Sequence, residues 1–253
     1  MTKKLFLAAC IAAMAFTGCK KDPQPEPTPE PQTVSRLASM VHKSVVPSGL
    51  ELSAVSRYTW ENGKLVKVFD SLTSPFSSPV VTTQNLIYEN GNHVRTEEES
   101  GVWTHYFTYE DGLLKSFCDI YANDTTIVGE VNGYNADGTV KEVTYTTAST
   151  NKFCFTWEND DVVKLENCTI LPVEEADTTI HIVSYDGKPN AFTGVPLSTC
   201  LIGRDVAFVL NRLSKHNVFD ASYTYNYDEK DRLISKVKEN DSTFYYYIEQ
   251  TIE

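Results

Sequence analysis

The sequence predicts an all-β fold: an antiparallel up-and-down meander of about 15 strands, closed or nearly closed into a barrel or rolled into a strongly curled sheet. Three observations carry this expectation. Tyr (14) and Phe (12) are plentiful beside many Thr and Val, and Gly (12) is modest, a composition that suits a pleated surface. A cadence also repeats: an aromatic, an acid, Asn-Gly or Asp-Gly, then a basic or aliphatic residue. It appears in "YTWENGKLVKV" (58–68), "IYENGNHV" and "TYEDGLLK", and more loosely in "GYNADGTVK" and "TWENDDVVK". Finally, Gly63, Gly91, Gly112, Gly138, Asp160 and Gly187 fall 21 to 28 residues apart, the length of two strands and two turns.

The chain begins "MTKKLFLAACIAAMAFTGCKKD". Lys3 and Lys4 precede an apolar run from Leu5 to Phe16, the length of a signal-peptide core and too short to span a bilayer. The run ends in "FTGC", which resembles a bacterial lipobox, with Phe16 where Leu is commoner. That resemblance implies a signal peptide over 1–18, with Cys19 the first mature residue, carrying lipid. Several acyl chains make such an anchor firm. From Pro23 to Pro31 proline alternates with Gln, Glu and Thr. Each proline fixes its own φ and extends its predecessor. Residues 19–32 thus read as a spacer in polyproline-II form, spanning roughly 30 Å over ten residues. Residues 33–253 read as one β-meander domain.

The net charge is −12, and loss of residues 1–18 removes two lysines and no acid, giving −14. Such an acidic domain is a poor partner for nucleic acid, where phosphate neutralisation dominates affinity. Of the six cysteines, Cys118, Cys154, Cys168 and Cys200 lie within the domain. Export permits disulfides, and four cysteines allow three pairings. Only Cys154 and Cys168 flank a single turn. A three-residue loop at 159–161 sets Cys154 opposite Glu166 and leaves Cys168 one diagonal step away, too far to bridge without distortion. Free buried thiols are expected.

Asn-Gly and Asp-Gly between alternating apolar residues mark two-residue hairpins of type I′, whose turn residues both need positive φ. With Asn62-Gly63 at the turn, Glu61 faces Lys64 and Trp60 faces Leu65. With Asp111-Gly112, Tyr109 faces Leu114, and with Asn90-Gly91, Tyr88 faces His93. The aromatic always falls in the second cross-strand pair, where it pins the register. Strands follow near 36–46, 52–60, 64–71, 80–89, 92–99, 102–110, 113–121, 125–134, 139–148, 151–158, 162–169, 178–185, 217–227, 232–239 and 242–251. In the first hairpin Tyr58, Trp60, Leu65 and Phe69 share a face that Lys67 interrupts, while Val66 and Val68 take the other. Apolar residues on both faces suit two layers or a partly filled barrel.

One stretch breaks the cadence: "DGKPNAFTGVPLSTCLIGRDVAFVLNRLSKHNV". Residues 205–213 are expected to form a short helix, with Val206, Val209, Leu210 and Leu213 on one stripe. So apolar a connection near 187–216 should pack into the β structure as a plug or cap.

"VSYDGKPNAFTGVPL" and "LSKHNVFDASYTYNYDEKDRLISKV" resemble a family of secreted Bacteroides-type lipoproteins of unknown function. The resemblance is best over 183–240. It departs at Ala191, inserted before Phe192, and at His216-Asn217, where the family has Asn-Asn. It implies a large antiparallel, porin-like fold and carries no catalytic residues. "YNYDEKDRL" is more weakly similar to the YD repeats of Rhs-type shell proteins, with Asp231 in the usual glycine place. A membrane-spanning barrel needs an outward apolar band, whereas "HVRTEEES" and "LISKVKEN" carry charges.

No catalytic, metal or cofactor motif is present in the sequence. His42, His93, His105, His181 and His216 have no metal-ligand spacing, and nothing selects a pair among acids such as 97–99 or Glu174-Glu175. Tyr223, Tyr225 and Tyr227, with Tyr245-Tyr246-Tyr247, are the candidates for stacking on a ligand. Three functions remain. The first is a lipid-anchored envelope module, held at the outer membrane through Cys19, that binds a glycan, peptide or protein. The second is a small-molecule-carrying or pore-like barrel. The third is a hydrolase, which requires two acids or a Ser–His pair within reach of each other.

Overall fold

The structure, a computed structural model, describes residues 32–147, 150–170, 177–202 and 206–252. The signal peptide, Cys19, the spacer up to Pro31 and Glu174-Glu175 lie outside the described residues. Residues Pro31–Glu253 form one compact unit.

Seventeen strands and two helices are present among the described residues. The strands are β1 (Gln32–Val45), β2 (Glu51–Glu61), β3 (Lys64–Ser74), β4 (Ser77–Glu89), β5 (Asn92–Glu98), β6 (Trp103–Glu110), β7 (Leu113–Tyr121), β8 (Asp124–Tyr134), β9 (Val140–Thr146), β10 (Thr150–Glu158), β11 (Asp161–Ile170), β12 (Asp177–Ile182), β13 (Tyr185–Pro189), β14 (His216–Val218), β15 (Thr224–Tyr227), β16 (Leu233–Lys238) and β17 (Asp241–Ile252). Between β13 and β14 come α1 (Leu197–Leu201) and α2 (Val206–Leu213). Helix α2 occupies the expected place with the expected stripe: Val209 and Leu210 are buried, and Val206 and Leu213 pack beside them. Helix α1 was not foreseen, because five residues are too short to show a period.

Fifteen strands form one antiparallel sheet in the order β12 to β1 and then β17, β16, β15. The first strand pairs with the last, Gln32 opposite Ile252 and Ser44 opposite Asp241. The sheet ends at β12 and β15, and β13 pairs with β14 in a separate two-stranded sheet. The expectation of a closed or nearly closed barrel, or of a strongly curled sheet, is thereby corrected. The physical reason lies in the stretch that breaks the cadence. Its strand β13 holds Gly187 in a positive-φ conformation and ends at Pro189, which has no N–H to give a ladder. The strand expected over 178–185 breaks between Ile182 and Tyr185, and the one over 217–227 is interrupted by a turn in which Tyr223 N–H donates to the Asp220 carbonyl. Gly187 is no hairpin turn.

The local turn chemistry holds. Asn62-Gly63, Asn90-Gly91, Asp111-Gly112 and Asn159-Asp160 all have positive φ at both residues, as type I′ turns demand. Gly138 instead closes a longer loop, with Asn135 N–H donating to the Thr139 carbonyl. The turn at Asn159-Asp160 has two residues, not three, since Glu158 faces Asp161. Cys154 nevertheless faces Glu166, because a β-bulge supplies the missing step.

That bulge recurs. Trp60 faces Leu65 while Thr59 faces Lys67, so Val66 is an extra residue. Val94, Lys115, Val163 and Ile234 are extra in the same place in their hairpins. An inserted residue turns the following side chains over. Pairs three apart are therefore buried together: Leu65 with Val68, His93 with Thr96, Leu114 with Phe117, Val140 with Val143 and Val162 with Leu165. Phe69 consequently does not share the face of Trp60, and Val68 joins Tyr58 in the core.

Two buried clusters result. One joins β6–β11 to Leu201, Val209 and Leu210 of the helices. The other joins β1–β4, β16 and β17 to Ala191. The described parts of the connection, 190–202 and 206–215, pack against both. Tyr145 donates to the Leu201 carbonyl at 2.8 Å, and Val162 N–H donates to Ser214 Oγ at 3.1 Å.

Candidate binding cleft

Strand β15 alternates, so Tyr225 and Tyr227, with Tyr223 just before it, point the same way. They meet residues of β13 that sequence reasoning did not single out. Tyr185, Asp186, Lys188, Phe219 and the three tyrosines line one open cleft of about 460 Å³. The Tyr225 ring lies 5.3 Å from Phe219 and 6.4 Å from Tyr223, between centroids. Tyr227 donates to Asp186 Oδ2 at 2.5 Å, and Tyr223 to Asp241 Oδ2 at 2.9 Å. Burial first, then the Asp186 carboxylate, pushes the Tyr227 phenol up, so it stays a donor. Lys188 Nζ forms an ion pair with Asp231 Oδ1 at 2.6 Å and lies 6.0 Å from the Tyr227 ring centroid.

Phe219 also lines a second pocket of about 720 Å³, between β11–β12 and α2, together with His181, Ile182, Ala207 and Leu210. Both recesses lie beside the interruption in the meander, where sheet edges β12 and β15 remain unjoined.

Asn190 and Asn217, at the two ends of the long connection, chiefly fasten this region. The Asn190 side-chain amide donates to the carbonyls of Asn211 and Ser214, both at 2.8 Å. Asn217 Oδ1 accepts from Ala191 N–H at 3.1 Å, and its Nδ2 donates to the Pro189 carbonyl at 3.0 Å. These bonds join the two ends of the long connection and set Tyr185 and Asp186 beside β15.

Of the other candidates, Tyr245 is buried, Tyr246 is exposed and Tyr247 donates to the Leu233 carbonyl, so this run does not act as one surface. His105 and His216 are tied to Asp119 and Asp161, each at 2.7 Å. Glu97 and Glu99 pair with Arg95 and Lys67. Cys118, Cys154, Cys168 and Cys200 are free thiols, and burial pushes Cys200 up to about 12. Among the described residues no group of three His, Cys, Asp or Glu side chains is placed to hold a metal ion.

A Ser–His contact does form, between residues more than a hundred positions apart that no motif links. His93 Nδ1 lies 2.7 Å from Ser198 Oγ, with Thr96 Oγ1 2.9 Å from Nε2. Ser198 has no exposed surface and His93 is 2% exposed. A nucleophile needs a base oriented by a third group, and here that third group is a neutral hydroxyl. Burial holds the imidazole down at about 4, the neutral state of a packed core histidine.

No family model matches the chain, and no curated protein matches it.

Proposed function

We propose that this is a lipid-anchored cell-envelope protein that binds without catalysis, with the tyrosine cleft as its recognition surface and a glycan as its ligand. The observation that carries the reading is the convergence of Tyr185, Phe219, Tyr223, Tyr225 and Tyr227 around Asp186 and Lys188 in one open recess. Aromatic faces suit the apolar faces of sugar rings, and a carboxylate beside an ammonium suits their hydroxyls. Lipid on Cys19 would hold the protein at the outer membrane, and the proline spacer would lift the domain away from it.

A glycan array probed with the unit Pro31–Glu253 tests the recognition step. Binding that Tyr225→Ala abolishes, with the fold retained, supports the reading. Silence across the array, or binding indifferent to Tyr223→Ala and Tyr225→Ala, removes it. For the anchor, palmitate labelling that disappears in Cys19→Ser is expected; label retained in that variant overturns it.

The small-molecule reading keeps one specific support: the larger recess mixes Ile182, Val183 and Leu210 with His181 and Asn211. An apolar dye displaced from that recess by a bound metabolite, with the tyrosine cleft mutated, would favour it.

A further inference from the structure

Beside the tyrosine cleft lies a smaller cavity of about 210 Å³ whose chemistry is different. Met40, Phe192 and Tyr245 supply apolar walls, and Lys236, Arg212 and His42, with the neutral Asn211 and Thr243, supply its polar lining. No carboxylate is among the lining residues. In a chain of net charge −12, two permanent cations and an imidazole around one recess are a local reversal of sign. We propose that this cavity is a binding site for a small carboxylate with a compact apolar body, a site distinct from the glycan surface.

Lys236 is the centre of the case. It faces Tyr225 across the β15–β16 pair, which turns it to the side of Tyr223, Tyr225 and Tyr227. It forms no ion pair among the described residues, and its Nζ rests 5.2 Å from the centroid of the Tyr223 ring. Asp241, the acid that acts most strongly on it, makes no ion pair with it: Asp241 Oδ2 accepts from Tyr223, and Oδ1 stands 3.6 Å from His42 Nδ1. Desolvation lowers the Lys236 amine below its usual range, although Asp241 and Asp220 oppose this. An amine held this way gains most from an anion that enters its own space. Arg212 stacks on Phe192 with its guanidinium carbon 4.9 Å from the ring centroid, so charge and apolar wall adjoin. That adjacency asks for a ligand with both a carboxylate and a hydrocarbon part.

Calorimetry on the unit Pro31–Glu253 with 4-phenylbutyrate and 4-phenylbutylamine tests the proposal, since the two share a body and differ in charge. Saturable binding of the acid, no binding of the amine, and at least tenfold weaker binding of the acid to Lys236→Met are expected. Met40→Trp, which fills the recess without touching a charge, should block the acid as well. Thermal melting verifies that each variant is folded, and Lys236→Gln replaces Lys236→Met should the latter melt early. Equal binding of acid and amine, no binding of the acid, or parental affinity in the folded Lys236 and Met40 variants overturns the assignment.

Discussion

The hydroxyl of Tyr109 donates to the backbone carbonyl of His93 at 3.0 Å, reaching from one hairpin to the one before it. His93 is itself the cross-strand partner of Tyr88, whose hydroxyl donates to the Leu65 carbonyl at 2.8 Å. Leu65 in turn faces Trp60, whose Nε1 donates to the Leu37 carbonyl at 2.8 Å. The series continues through Tyr134 to Leu114, Trp157 to Val140 and Tyr185 to Val162. The repeated aromatic therefore has two tasks. Its ring packs within its own hairpin, and its polar tip ties that hairpin to its neighbour.

Removing one such tip tests the ladder. Tyr109→Phe keeps the ring and leaves the His93 carbonyl without this donor, and a loss of about 1 kcal/mol is expected. Tyr88→Phe and Tyr134→Phe should each cost about as much. Urea denaturation measures all three, and unchanged midpoints would show that the tips are idle.

His93 should make stability fall in mild acid. Its folded value of about 4 lies below the ordinary 6.5. Between these values the unfolded chain binds a proton that the folded chain refuses, so stability is full above pH 6.5 and declines towards pH 4. The decline attributable to this group is on the order of 3 kcal/mol. Denaturation followed from pH 7 to pH 4 should slope less in His93→Gln than in the parent, and parallel slopes would contradict the assignment.

Gly129 makes room for Phe117. The two face each other across β7 and β8, and a Cβ at Gly129 would sit 2.0 Å from the Phe117 ring. Because Phe117 is buried in the larger cluster, it has little freedom to withdraw. Gly129→Ala should destabilise by about 1–3 kcal/mol. Adding Phe117→Leu to that variant should cost less than Phe117→Leu alone, a coupling that a double-mutant cycle reads directly.

Asp231 holds a backbone conformation that suits glycine, at φ +60°. Its ion pair with Lys188 joins side chains that are 39% and 62% exposed, so the pair adds little. Asp231→Gly should raise stability by roughly 0.5–1 kcal/mol through relief of the left-handed strain. A melting temperature that falls instead would mean that the Lys188 contact outweighs it.

What the sequence determined by itself was local. Asn62-Gly63, Asn90-Gly91 and Asp111-Gly112 announce their turns because positive φ at two successive residues is a property of the residues themselves. The partners Trp60–Leu65 and Tyr109–Leu114 follow from the turn by counting, and the stripe on α2 follows from its period. The pairing of β1 with β17 and the ends of the sheet at β12 and β15 belong to the tertiary structure. So does the bulge at Val66, since nothing about a valine says that it will be the unpaired residue, yet that bulge decides that Val68 rather than Phe69 is buried. The same holds for both sites. Tyr223, Tyr225 and Tyr227 share a face by alternation alone, but Asp186 reaches them only because Asn190 and Asn217 clamp a connection more than twenty residues long. Lys236 likewise meets Phe192 and Arg212 only where that connection folds back on the sheet. Turn chemistry acts over four residues and can be read from them. Which side chains line a cavity depends on contacts between distant segments, and those are chosen by the burial of the whole chain.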